Sequence, residues 1–185
     1  MNESQIIAGC KKNNRSAQKA LYELYAPKMM AVCLRYSKDD DTAKDLLHDG
    51  FIQVFQKIGS YKGDGSFEGW LRRVFVNLSL ENYRQEQRKI AVYSDYSKDE
   101  TDLYDAPEDE LLDIGDIPRN TILKIIQEMP EGYRNVFNMV IFEDMPHKEI
   151  AEHLGITEGA SRSQFFRAKE FLQKKIEPLI KKEFL

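Results

Sequence analysis

The sequence is short of the features that mark several protein classes. Two cysteines, Cys10 and Cys33, stand in 185 residues; they cannot build a disulfide framework, so a reducing compartment is expected and both read as small buried hydrophobes. The longest unbroken apolar run is Met29–Leu34, far below the roughly 20 residues that span a membrane. Residues 1–20 are polar and hold no signal-peptide core, which points to a cytoplasmic protein without membrane insertion. The histidines, His48, His147 and His153, are scattered and make neither H-E-x-x-H nor a Cys/His metal spacing. Gly59, Gly63 and Gly65 spell neither G-x-x-x-x-G-K-[ST] nor G-x-G-x-x-G, and no strand precedes them. No nucleophile pairs with a base. Enzyme activity, a metal and a cofactor are therefore not expected.

What is present describes a globular chain with real cores, 42% hydrophobic and 31% charged. The net charge of −4 is an average over unlike segments. Residues 1–92 carry +4, residues 93–118 carry −9 and residues 119–185 carry +1. The acidity belongs to one stretch, so the overall charge does not exclude DNA as a partner. That stretch ends at Pro118, lacks apolar periodicity, and reads as a flexible linker between two folded domains, 1–92 and 119–185.

Both domains read as helical, and no segment alternates long enough for a strand, so the fold class is all-α. Ala43, Leu46, Leu47, Gly50, Phe51, Val54, Phe55 and Ile58 line one face of a helix over 42–58. Asp41 or Thr42 can cap it and Gly59 can stop it. A pattern from Ser16 through Val32 precedes it, interrupted at Pro27. After a loop at 60–66, a helix over about 67–89 turns Leu71, Val74, Phe75 and Leu78 inward, with Trp70 also read as core. In the second domain helices start at Thr121 and Glu131. Two more, Pro146–Leu154 and Thr157 to about Ile176, are joined by Gly155-Ile156.

That last pair is a helix-turn-helix arrangement, with Gly155 permitting a positive-φ turn and Ile150, Ala151, Leu154 and Ile156 locking the helices. The second helix opens with Glu158, Gly159, Ser161, Arg162, Ser163 and Gln164, polar and short where a recognition helix meets base edges. Arg162 can pair with guanine and Gln164 with adenine, while Arg167 and Lys169 suit phosphates. An ordinary helical hairpin with a solvated face is the plain alternative.

Two other faces stand out. On the 42–58 helix, Asp45, His48, Asp49, Ile52 and Gln56 lie at i, i+3, i+4, i+7 and i+11, opposite the core. A solvated charged face would have no need of an exposed Ile52, which a partner would explain. On the 67–89 helix, Asn77, Leu80, Arg84 and Arg88 fall at about 40°, −20°, 20° and 60° from Arg73, whereas the core residues sit near 100–200°. This helix has a basic face separate from its apolar one.

The run MPEGYRNVF followed by HKEIAEHLGITEGASRSQFFRAK resembles the C-terminal promoter-reading domain of extracytoplasmic-function (ECF) RNA polymerase sigma factors. The first half is similar to the same family on its own: ALYELYAPKM resembles its opening helix, KDLLHDGFIQVFQKI its polymerase-binding helix, and SFEGWLRRVFVNLSLENYRQEQRK its downstream promoter-reading helix. The resemblance covers nearly all of the chain outside the linker, in the right order. It implies that Asp45, His48, Asp49, Ile52, Gln53 and Gln56 meet the β′ coiled coil of core RNA polymerase, with the β subunit as a further contact. Tyr61, Lys62 and Asn77 would capture a flipped base of the downstream element, and Arg72, Arg73, Arg84 and Arg88 would hold phosphates. Glu158, Gly159, Arg162, Ser163, Gln164, Phe166, Arg167 and Lys169 would read the upstream element.

The resemblance further implies a sigma factor, a monomer when free, that directs core polymerase to promoters and promotes DNA melting, together with an anti-sigma partner. The linker would thread the channel that nascent RNA later occupies. Its 26 residues reach at most about 85–90 Å extended but only about 25–30 Å as a coil. Three positions depart from the family. Ser161 stands where an aliphatic residue is usual, Gln164 where a basic one is, and Gly50 weakens its helix by about 1 kcal/mol relative to Ala. Two other readings stay open at this point: a helix-turn-helix regulator acting without core polymerase, and a helical interaction protein that binds no DNA.

Overall fold

A computed structural model describes residues 1–93 and 117–182, with side chains over 1–90 and 117–180. The body of the acidic linker, 94–116, lies outside the described residues, and so does its reading as a tether. The described residues are helical, without a strand among them: α1 (Glu3–Lys11), α2 (Arg15–Tyr36), α3 (Asp40–Lys57), a 3₁₀ turn (Ile58–Ser60), α4 (Phe67–Tyr93), α5 (Arg119–Glu128), α6 (Glu131–Ile141), α7 (His147–Leu154) and α8 (Glu158–Lys182). The chain divides into two compact units, Met1–Glu81 and Asn82–Leu185. That division falls inside α4, whereas the composition changes at residue 92.

In the first unit, side chains that accept backbone N–H groups start the helices. Asn2 and Gln5 form a capping box on α1, and Asn14 accepts from Ala17 N–H at 3.0 Å. Asp39, not Asp41 or Thr42, caps α3. Its carboxylate accepts both the N–H and the hydroxyl of Thr42, at 2.8 and 2.6 Å, and these bonds hold it below its ordinary pKa. Gly59 does not stop α3 but lies within the 3₁₀ turn. Pro27 does not interrupt α2, which runs on as one helix. It sits on the exposed side, where solvent can take the carbonyl left without an N–H partner.

The core of this unit gathers Leu21, Met29, Phe51, Val54, Phe67, Leu71 and Phe75. Gly50 has its reason here: a Cβ on it would stand 2.0 Å from Cε1 of Phe75. The glycine lets the ring of α4 lie directly on the backbone of α3. Cys10 and Cys33 are buried free thiols, as expected, and burial pushes Cys33 up to about 12.

In the second unit α6 and α8 carry most of the core, through Val136, Phe137, Met139, Phe165, Ala168, Leu172 and Ile176. Arg134 is buried with them because its guanidinium closes α5, donating from Nη1 to the carbonyls of Gln127 and Met129 at 2.9 and 3.2 Å. The α7–α8 turn is the expected one. Gly155 adopts φ +68°, and Thr157 Oγ1 caps α8 by accepting the N–H of Ala160 at 3.1 Å.

Candidate nucleic-acid and partner interfaces

The α3 periodicity resolves into two faces. Ala43, Leu46, Leu47, Gly50, Phe51 and Val54 are buried, and Asp45, His48, Asp49, Ile52 and Gln56 are exposed along the other side. Ile52 is 44% exposed on that side, one turn beyond Asp49. Gln53 lies half-buried beside this stripe and accepts from Lys57 Nζ at 2.8 Å. Sequence reasoning missed two exposed apolar side chains on α2. Tyr22 and Leu24 are exposed there, and the Tyr22 ring lies 4.7 Å from that of Phe51. Their placement one residue off the buried Leu21 and Tyr25 was the available signal.

The loop after α3 is shaped by its own side chains. Tyr61 donates its hydroxyl to Gly65 O at 2.9 Å, and Gly63 and Gly65 take φ +93° and +81°, which closes a tight arch. The Tyr61 ring meets Phe67 at 5.0 Å and Trp70 at 5.7 Å, and Phe67 stacks on Trp70 at 5.6 Å. Trp70 is therefore only half-buried, as one wall of an aromatic cluster at the arch. Lys11, which the sequence reading passed over, donates from Nζ to Tyr61 O at 2.7 Å and ties α1 to this loop. Lys62 at its crest is exposed.

Along α4, Arg73, Asn77 and Arg88 are exposed while Arg72 and Arg84 are half-buried. Leu80 corrects the sequence reading. Placed among the basic residues by its angle, it is 1% exposed, and Val76 is buried as well. The helix is packed over a wider arc than its apolar periodicity indicated, and the basic face is correspondingly narrower.

On α8, Glu158, Gly159, Arg162 and Arg167 are exposed. Arg162 Nη2 donates to Glu158 Oε1 at 2.6 Å, one turn away. Arg167 Nη1 reaches the hydroxyl of Tyr133 on α6 at 3.4 Å, so Tyr133 joins this edge although the sequence did not single it out. Phe166 and Lys169 are half-buried, with Lys169 Nζ 5.1 Å over the Phe165 ring.

Two expected base readers are less accessible than the sequence reading expects, Ser163 buried and Gln164 half-buried. Ser163 is 3% exposed. Gln164 buries its Oε1 without a hydrogen-bond partner, against the α6 backbone 3.1 Å from where a Cβ on Gly132 would be. The buried stripe at 161, 165, 168 and 172 has Gln164 about 70° away on its flank, whereas Ser163 falls nearly opposite it, so the stripe does not account for the burial of Ser163. Ser161, at the centre of the stripe, is fully buried and bonded to His147 Nδ1 at 2.8 Å.

Comparison with known proteins agrees with this layout. The profile of sigma-70 region 2 matches residues 21–89 and that of sigma-70 region 4 matches residues 119–172. The chain is 24% identical over 185 residues to the RNA polymerase sigma-H factor of Pseudomonas aeruginosa, covering 97% of this chain and 96% of that protein. It is 25% identical over 189 residues to the ECF RNA polymerase sigma-E factor of Haemophilus influenzae, covering 97% and 98%. Among solved structures, the sigma factor RpoE of Bartonella quintana, in complex with the anti-sigma factor NepR, shares the fold. The TM-score is 0.51 at 18% identity, over 86% of this chain and 96% of that one.

Proposed function

Because the chain belongs to the ECF group of the sigma-70 family, we propose that its two helical units divide one task between them. The protein is a sigma factor that directs RNA polymerase to promoters. Sigma factors are non-enzymatic regulators, and the polymerase supplies the chemistry. The α3 stripe, Asp45, His48, Asp49, Ile52 and Gln56 with Gln53 at its edge, docks on the β′ coiled coil of the core enzyme. Carboxylates steer and orient that contact, and Ile52 supplies apolar area at its centre.

The Tyr61–Ser66 arch, Lys62 and Asn77 hold an unstacked base of the downstream element. Arg73 and Arg88, with the half-buried Arg72 and Arg84, neutralise phosphates and favour strand opening. On α8, Arg162, Glu158 and Arg167 read the upstream element, and Gln164 contributes nothing to base choice. Residues 1–92 and 119–185 act as domains on either side of the acidic tether 93–118. A protein antagonist of the anti-sigma kind would mask these faces. Cytoplasmic residence and a free monomer fit this role, and no described helix is long and apolar enough to cross a membrane.

The observation that carries the reading is the ordered pair of sigma-70 regions, each presenting an exposed charged edge on the helix that would bind. Run-off transcription with core polymerase on a genomic promoter library tests it. Core plus this protein should start transcripts that core alone does not. If the two sets of start sites coincide, or if the purified chain binds duplex promoters tightly without polymerase, the proposal fails.

A further inference from the structure

A serine at the centre of the α7–α8 interface needs a physical account. Ser161 is fully buried in the first turns of α8, with Phe165 buried one turn on. A hydroxyl left unpaired there would cost about 1–3 kcal/mol. His147 supplies the partner: its Nδ1 lies 2.8 Å from Ser161 Oγ, and its ring meets that of Phe165 at 5.7 Å and 60°, edge to face. His147 opens α7 and Ser161 is the fourth residue of α8, so the bond joins the start of one helix to the first turn of the other. The Gly155 turn and the buried Ile150, Ala151 and Leu154 hold the pair together without a directional bond between the helices. The imidazole–hydroxyl bond and the ring contact add a polar, directional attachment to that packing.

That attachment lies directly beneath the exposed edge. Arg162 follows Ser161 in sequence, and its ion-pair partner Glu158 lies one turn before. Recognition groups have to be held within about 0.5 Å of their working position. A rotation of α8 by about 10° would move side-chain tips, riding some 5–6 Å from the axis, by about 1 Å.

We infer that His147 is a positioning residue for upstream-element recognition, acting through Ser161 to fix the rotation and pitch of α8. Its effect is on which sequence is chosen, while the base contacts remain those of Arg162. The inference rests on the upstream-promoter reading of α8.

The test uses core polymerase reconstituted with the full chain, on a promoter that the wild-type holoenzyme selects from a randomised upstream hexamer. The readout is the ratio of transcript from that promoter to transcript from its scrambled-hexamer version. Ser161→Ala and His147→Leu should each lower the ratio roughly tenfold, within the range of directly coupled pairs, and the double variant should lower it no further. Ser161→Thr, which keeps the hydroxyl, should retain discrimination. Core affinity should be unchanged throughout, and the His147 ring-nitrogen NMR shifts should move in the alanine variant but not in the threonine one. Ser161→Cys, which keeps the volume and weakens the bond, should give a smaller loss of the same kind if the alanine variant does not fold. Additive single effects overturn the inference, as does full discrimination in a variant whose NMR shift shows the bond gone. A wild-type holoenzyme without upstream preference overturns the promoter reading itself, and the positioning role with it.

Discussion

Replacing Gly50 with alanine should loosen the first unit although it makes α3 a better helix. Propensity alone favours alanine by about 1 kcal/mol in a helix interior. The added Cβ, however, would stand 2.0 Å from Cε1 and 2.4 Å from Cδ1 of Phe75, against the ~3.5 Å at which carbons pack. The ring would have to retreat by about 1.5 Å. That retreat presses on its neighbours, since Phe75 is fully buried and meets Phe51 edge-on at 5.4 Å. Overpacking costs about 1–3 kcal/mol, and a displacement of this size belongs at the upper end. The net loss is then about 1–2 kcal/mol, a fall of roughly 5–15 °C in the midpoint for a unit of this size. Trp70 is the sole tryptophan and lies in this unit, so its fluorescence during thermal unfolding reports the change. In a Phe75→Leu background the clash is relieved, and the same substitution should be neutral or stabilising. A Gly50→Ala protein as stable as wild type would refute the account of why a glycine stands there.

Asp49→Lys should weaken binding to core polymerase, measured by competition for core, while leaving upstream-element preference intact. Arg162→Ala should cost about 1–3 kcal/mol of discrimination at one base pair of the upstream element, whereas Gln164→Ala should leave the selected sequence unchanged in a binding-site selection. Lys11→Ala removes the bond to Tyr61 O and should reduce permanganate reactivity of melted thymines without changing recruitment to the promoter. Cys33 should resist a thiol reagent at pH 8 until the chain unfolds. Folding favours its neutral form, so this contribution to stability is intact below the ordinary thiol value of 9.0 and drains as pH rises towards about 12; a urea midpoint followed from pH 8 to pH 11 checks the sign.

Much of the architecture was legible in the residues. The 3-4 spacing on α3 separates a buried from an exposed side because a rod packed on one side admits only one apolar stripe. The α7–α8 turn was legible because only a residue without a side chain enters the left-handed region freely, and Gly155 does so at φ +68°. The candidate site was read less completely. Arg162 and Arg167 are exposed as expected, yet Ser163, equally polar, is buried and Gln164 half-buried. Polarity states that a group can meet DNA, not that it points there. Leu80 was misplaced for a related reason: a helix covered over a wide arc does not obey a one-stripe template.

The sequence by itself determined the helical class, the charge segregation, the helix-turn-helix and the order of the two sigma-like halves, all of which depend on neighbours within a few turns. The tertiary structure alone decided why Gly50 stands in mid-helix, what pairs with Ser161, and that Lys11 and Tyr133 belong to the candidate interfaces. Gly50 answers to Phe75, Lys11 to Tyr61 and Ser161 to His147. Contacts between residues far apart in the chain leave no periodicity to read, because nothing in the local spacing of either partner encodes the distance to the other.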